Sequence, residues 1–109
     1  MSPDLPKPIA AYLASEKSHD TAAVTACFAE DATVRDEGRT IQGVPAIKEW
    51  KEASKRKYQH SVEVIDAAQK DGKTVVRGLV SGNFPGSPIE LQFIFELDGD
   101  EITSLEIRP

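Results

Sequence analysis

A single cysteine, Cys27, stands among the 109 residues. One thiol cannot close an internal disulfide, and a metal–thiolate centre needs several, so both are excluded. Cys27 lies in the apolar run AVTACF, which predicts a small buried hydrophobe in a reducing compartment. Positive charge is also short. Thirteen lysines and arginines face eighteen acids, for a formal net charge of −5. Such a chain repels a phosphate backbone at long range, so no nucleic-acid partner is expected. No apolar run approaches the ~20 residues that a membrane-spanning helix needs. The opening stretch, MSPDLPKPIAAYLASEK, has neither a basic leader nor a sustained apolar segment. The expectation is a cytoplasmic protein with no membrane partner. His19 and His60 have no third ligand in helical or strand register, and no metal is expected. A glycine-rich phosphate loop, a nucleophile elbow and a zinc-protease helix are all missing, and no cofactor is expected.

What is present is the composition of a folding domain. A hydrophobic fraction of 39% and a charged fraction of 28% lie far from the polar, highly charged corner where chains stay disordered. The length suits one core, so residues 1–109 read as a single domain.

The prolines at 3, 6 and 8 belong in the opening turn of a helix that carries Ile9, Tyr12, Leu13 and Glu16 along one stripe. After the turn KSHD, Asp20 or Thr21 caps a second helix, in which Val24, Cys27 and Phe28 have i, i+3, i+4 spacing. Two short strands follow, at about Ala32 to Asp36 and Arg39 to Gln42. Pro45 opens a third helix that turns Ile47, Trp50 and Ser54 inward and leaves Lys48, Glu49 and Arg56 in water. From His60 the period changes to two, in four runs separated by KDGK, PGSP and DGDE, which predicts an antiparallel meander. In the run IELQFIFEL, Leu91, Phe93, Phe95 and Leu97 share one face. The order ααββα followed by four strands is that of an α+β domain with helices on one face of an antiparallel sheet.

Within FAEDATVRD the strand alternation puts Asp36 on the face that buries Ala32 and Val34. An acid aimed toward a core needs a reason. Either Asp36 is a turn residue of the DEGR hairpin that accepts backbone hydrogen bonds, or it is a base in a partly dry pocket, where lost hydration makes a carboxylate more basic. Tyr12, by itself, is a packed ring whose hydroxyl needs a partner.

The helix pair, FAEDATVRDEGR, GVPAIKEW and the strands to the end together resemble the nuclear transport factor 2-like superfamily, and within it the SnoaL-like and ketosteroid isomerase-like group. The resemblance covers nearly the whole chain. It implies a cystatin-like, cone-shaped fold of three helices on a curved, mostly antiparallel six-strand sheet, with a pocket between the layers. From Tyr12 to Asp36 the match to ketosteroid isomerase runs without a gap, through YLASEKSHD and FAEDATVRD. It implies that Asp36 is a catalytic base and Tyr12 the oxyanion-hole hydroxyl. One position departs. The isomerase's second oxyanion donor, a carboxylic acid kept neutral by apolar surroundings, falls near Leu91, which has no proton to give.

The expected ligand is a compact, largely apolar organic molecule, with Trp50, His60, Phe28, Val34, Phe84 and Leu91 as candidate pocket residues. If the site turns over, the reaction class is proton abstraction next to a carbonyl, as in an isomerase or cyclase. The alternative is a ligand-binding or dimerisation module in which Asp36 only stabilises its hairpin. The resemblance, with an apolar sheet face too large for the helices to hide, also implies a homodimer through the outer side of the sheet.

Overall fold

A computed structural model describes residues 5–18, 21–36, 38–58 and 61–109, with side chains for all of these but 16–18, 21, 55, 57 and 58. Among them are α1 (Lys7–Ser18), α2 (Thr21–Thr25), β1 (Phe28–Asp36), β2 (Arg39–Gln42), α3 (Val44–Tyr58), β3 (Ser61–Lys70), β4 (Lys73–Ser81), β5 (Ile89–Asp98) and β6 (Glu101–Arg108). The strands form one six-stranded sheet in the order β2-β1-β6-β5-β4-β3. Every neighbouring pair is antiparallel except β1 and β6, which run parallel. The three helices pack on one face.

The meander follows from its pattern. In β4 the even-numbered residues Thr74, Val76, Gly78 and Val80 are buried while Val75, Arg77 and Leu79 are half-exposed. Period two with one covered face produces that result. The β3–β4 turn at Asp71 and Gly72 has positive φ at both positions, 52° and 79°, the twist that a two-residue hairpin between right-twisted strands requires. On the outer face Arg77 sits opposite Asp66 in the β3–β4 register. Its guanidinium donates to both carboxylate oxygens, 2.9 Å from Nε to Oδ1, and its Nη1 lies 3.5 Å from Glu90 Oε1. These hydrogen bonds hold the Asp66 carboxyl below its usual range. The contribution to stability is therefore present above the ordinary carboxylate pKa and is lost as pH falls through the depressed one.

The second helix is shorter than its apolar spacing suggests. It ends at Thr25, and Cys27 and Phe28 leave it for the sheet. Ile102 N donates to Cys27 O at 2.8 Å, and Phe28 pairs with Ile102 at the start of the β1–β6 ladder. Backbone bonds to a neighbouring strand have overridden a local helical pattern that three residues could only suggest. The β1 strand accordingly starts at Phe28, with a register shift before Thr33. The alternation that places Ala32 and Val34 inward then resumes, with both fully buried. Cys27 is buried as expected, its Sγ 3.3 Å from Ala23 O, and burial pushes its thiol pKa up. Asp20 and His19, and the side chain of Glu16, lie outside the described residues.

The core forms where α1 and α3 meet the inner sheet face. Ile9, Tyr12, Ile47, Val34, Phe95 and Leu105 are all fully buried there. Leu105 lies between Val34 on β1 and Phe95 on β5, so these three form a row across the sheet. Tyr12 caps that row, its ring edge-on to Phe95 at 5.6 Å and to Phe28 at 5.9 Å between centroids. The adjacent row runs from Asp36 through Ile107 to Phe93 and Val76, and part of it faces open space.

Gly78, on the inner face of β4, keeps two wall residues of that space in place. A Cβ built there would come within 2.8 Å of Val62 Cγ1 and 3.2 Å of Phe93 Cε1. The first is too short, so Val62 or the backbone must shift, and the second is tight enough to press on Phe93. Gly78→Ala is expected to destabilise the fold by about 1–3 kcal/mol, the usual cost of overpacking, in urea denaturation. A neutral result would show that the sheet accommodates the methyl by a small shift.

Candidate active site

The space beyond the Tyr12 row is a cavity of about 540 Å³ between α3, the inner sheet face and the β4–β5 loop. Its wall is mostly apolar and includes Val62, Val80, Ile89, Leu91, Phe93 and Ile107. Phe84 reaches the rim from the loop NFPGSP, which is tied across its base by Gly82 N donating to Ser87 Oγ at 2.9 Å. The size and lining suit a compact organic molecule.

Three charged side chains are in this wall, Asp36 at the end of β1, Lys51 on α3 and Arg108 at the end of β6. Asp36 is half-buried, and its Oδ2 accepts a hydrogen bond from Trp50 Nε1 at 3.0 Å. The question raised by the alternation of β1 has a structural answer. The carboxylate turned toward the core meets the edge of an indole and opens onto the cavity. Asp36, Trp50 and Ser54 also border a second hollow, of about 440 Å³, between β2 and α3. The Asp36–Trp50 pair thus forms a partition with space on both sides.

Lys51 is buried, only 2% exposed. Its Nζ donates to Tyr12 Oη at 3.1 Å, and it lies over the Tyr12 ring at 5.0 Å and over the Trp50 ring at 4.7 Å. Burial of an ammonium costs several kcal/mol unless partners compensate, and two aromatic faces with a phenolic acceptor are such partners. Trp50 and Lys51 are consecutive on α3, so one turn of helix presents both. The result is a continuous polar thread through apolar surroundings. It runs from the Asp36 carboxylate to the Trp50 N–H, across the indole face to the Lys51 ammonium, and on to the Tyr12 hydroxyl.

Of the residues the sequence suggests, Asp36, Trp50, Phe84 and Leu91 are in the cavity wall. Phe28 and Val34 are not. Phe28 is 3% exposed and packs on Tyr12, while Val34 is fully enclosed between β2 and β6, so both belong to the closed row of the core. Tyr12 is fully buried and is not part of the wall; its hydroxyl accepts from Lys51, which is. His60 lies outside the described residues. The sequence reading misses Lys51, although Ile47, Trp50, Lys51 and Ser54 have the i, i+3, i+4, i+7 spacing of one helix face. A lysine inside an apolar stripe was the available signal. No cluster of three or more potential metal ligands exists among the described residues.

Comparison with known proteins agrees with this architecture. A family model for the SnoaL-like domain matches residues 9–105. The chain belongs to that family. A protein from Sinorhizobium meliloti, named provisionally as a polyketide cyclase, is 39% identical to this SnoaL-like chain, with 96% of each chain covered and a TM-score of 0.93. A Catenulispora acidiphila protein with a ketosteroid isomerase-like fold, in complex with trimethylamine, is 22% identical, covers 97% of this chain and 87% of its own, and has a TM-score of 0.84. A cystatin-fold protein from Novosphingobium aromaticivorans is 18% identical over 97% of this chain and all of its own, with a TM-score of 0.79. The last two likenesses concern the fold alone. No curated protein matches the sequence. Among the described residues no helix is long and apolar enough to cross a membrane.

Proposed function

We propose that this SnoaL-like protein binds a compact, largely apolar carbonyl compound in the cavity and removes a proton from the carbon next to the carbonyl, with Asp36 as the base. The observation that carries this reading is the placement of one hydrogen-bonded carboxylate at the edge of a mostly apolar cavity. In the step, Asp36 accepts the proton, the C–H electron pair becomes a C=C bond, and the carbonyl π pair moves onto oxygen as an enolate. Where the substrate has a C=C bond between its β and γ carbons, the product is a dienolate, and return of the proton from Asp36 to the γ carbon gives an isomerisation. Attack of the enolate carbon on a second carbonyl of the same molecule gives a cyclisation, the class named for the Sinorhizobium relative. No external oxidant or cofactor enters either sequence.

Within this reading Tyr12 is a positioning residue that holds Lys51 by its hydroxyl, and Leu91 leaves the wall apolar where ketosteroid isomerase has its second acid. On the sequence grounds given above, the proposed compartment is the cytoplasm. The test uses 2-tetralone, a compact apolar ketone. Its α-protons should exchange with deuterium faster in the presence of the protein, by NMR, and it should quench the fluorescence of Trp50, the single tryptophan. Quenching without accelerated exchange would favour the binding-module reading; no quenching would remove the pocket from consideration.

We also propose that a second copy of the chain covers the outer sheet face. There Val75, Leu79 and Ile94 are half-exposed, with Val75 paired to Ile94, and the ion pairs of Arg77 flank them. Such a mixed apolar face suits a symmetric, self-complementary contact. Leu79→Lys places a like charge against itself across a two-fold axis, so sedimentation should show a dimer for the wild type and a monomer for the variant. A monomeric wild type would sink this assignment.

A further inference from the structure

The structure assigns the oxyanion donor to Lys51: we propose that its ammonium, and not the Tyr12 hydroxyl, faces the ligand oxygen, and that the ligand class is an apolar body carrying one oxygen that bears or develops negative charge. This rests on the pocket reading above and deepens it. Three observations support it. First, Tyr12 is fully enclosed, while Lys51 lines the cavity. Both side chains are buried, and of the two only Lys51 is part of the cavity wall. Second, the amine is presented as a cation, held over the Tyr12 and Trp50 rings at 5.0 and 4.7 Å with the phenol oxygen accepting at 3.1 Å. Aromatic faces attract an ammonium through the ring quadrupole and have no such preference for a neutral amine. Third, the wall is mostly apolar, and in such surroundings a charge acts over a few ångströms with greater force than in water.

The division of labour is then a matter of placement. Trp50 separates two of the wall's charged groups, holding the Asp36 carboxylate at its N–H and the Lys51 ammonium at its face. Asp36 takes the proton and Lys51 faces the oxygen where the charge arrives. Lys51 gives a hydrogen bond and a field, and no proton needs to leave it. Leu91 on β5 gives its part of the wall no donor, and Lys51 enters from α3. Among the described residues, Asp36 on β1 and Arg108 at the end of β6 are the other charged side chains of the cavity wall, and the Tyr12 phenol on α1 accepts from Lys51.

4-Nitrophenol is a direct probe, because its ionised form is coloured and its size fits the cavity. It is titrated into the wild-type chain and into Lys51→Met and Lys51→Arg, at a pH equal to the midpoint of the free phenol. Trp50 quenching reports binding and nitrophenolate absorbance reports ionisation of the bound molecule. The expected result is a ratio of bound phenolate to bound phenol at least tenfold higher in the wild type than in Lys51→Met, largely kept in Lys51→Arg and lowered far less in Arg108→Gln than in Lys51→Met. The same Lys51→Met change should slow 2-tetralone exchange by about a hundredfold, the usual loss when an oxyanion donor is removed. Binding with an equal ionised fraction in wild type and Lys51→Met would overturn the assignment and leave the pocket reading standing. Loss of the ionisation shift in Arg108→Gln would overturn it too, in favour of the arginine. An absence of quenching in the wild type would overturn both readings. Should Lys51→Met fail to fold, Asp36→Asn decides. With the competing carboxylate neutralised, bound nitrophenol must be more ionised than free nitrophenol, and equal or lower ionisation refutes the proposal.

Discussion

Asp36→Asn is expected to slow exchange of the 2-tetralone α-protons by about 10²- to 10⁴-fold, the contribution of a positioned base, while 2-tetralone still quenches Trp50. At 25 °C that loss corresponds to roughly 3–5 kcal/mol of barrier. The substitution is chosen because it removes basicity and can keep the contact with Trp50. The carboxamide oxygen can remain where Oδ2 now accepts from Trp50 Nε1 at 3.0 Å, so the indole keeps its partner and the partition keeps its shape. Asp36→Ala is the informative contrast. It leaves the indole N–H without that acceptor, which should add a stability loss of about 1–3 kcal/mol to the loss of rate. A protein in which Asp36 only supports its hairpin would give the opposite pair of results, with the Asn variant less stable and the exchange rate unchanged. Unchanged exchange at intact binding would therefore end the assignment of Asp36 as base.

The parts of this molecule that could be read from its sequence are those with a long, regular period. Among the four strands from Ser61 to Arg108, β4 and β5 declare themselves by sustained alternation, β3 and β6 by shorter period-two stretches on either side of a register shift, and the turns between them by Gly and Pro. Asp36 was legible for the same reason, since alternation from Ala32 fixes its face. The boundary between α2 and β1 was not legible. Val24, Cys27 and Phe28 fit a helix over a single turn, and the bond from Ile102 N to Cys27 O that decides the matter comes from a strand some 75 residues later. Spacing also placed Tyr12 on the inner face of α1, but depth is not a property of spacing. Whether a buried hydroxyl reaches a cavity depends on what lies between, and here Lys51 does. Lys51 was overlooked because a lysine on an amphipathic helix normally lies in water. Its burial depends on Tyr12 and Trp50, one far along the chain and one adjacent, converging on the same point.

Phe95 and Phe93 offer a measure of how sharply the closed core gives way to the cavity. They are two positions apart on β5, face the same way, and are 0% and 3% exposed, so burial alone would rank them as equals. Their neighbours differ. Phe95 lies in the closed row, against the Tyr12 ring at 5.6 Å, whereas Phe93 forms part of the cavity wall. Phe95→Ala must leave a hole surrounded by packed side chains, and its expected cost is about 3–5 kcal/mol. That is a large share of the ~5–15 kcal/mol that holds a typical domain folded. Phe93→Ala removes a side chain that already lacks packing partners on one side, so fewer dispersion contacts disappear and the loss should fall at or below the lower end of that range. Urea denaturation followed by circular dichroism checks the difference. The functional consequences should run the other way. Phe93→Ala enlarges the cavity and should shift binding toward ketones bulkier than 2-tetralone. Phe95→Ala leaves the wall intact but loosens Tyr12, and through it the hydroxyl that fixes Lys51, so its folded fraction should lose the nitrophenolate preference while still quenching Trp50. Equal stability losses at the two positions, or altered ligand size preference in Phe95→Ala, would mean that the cavity does not end at the row where the structure puts its boundary.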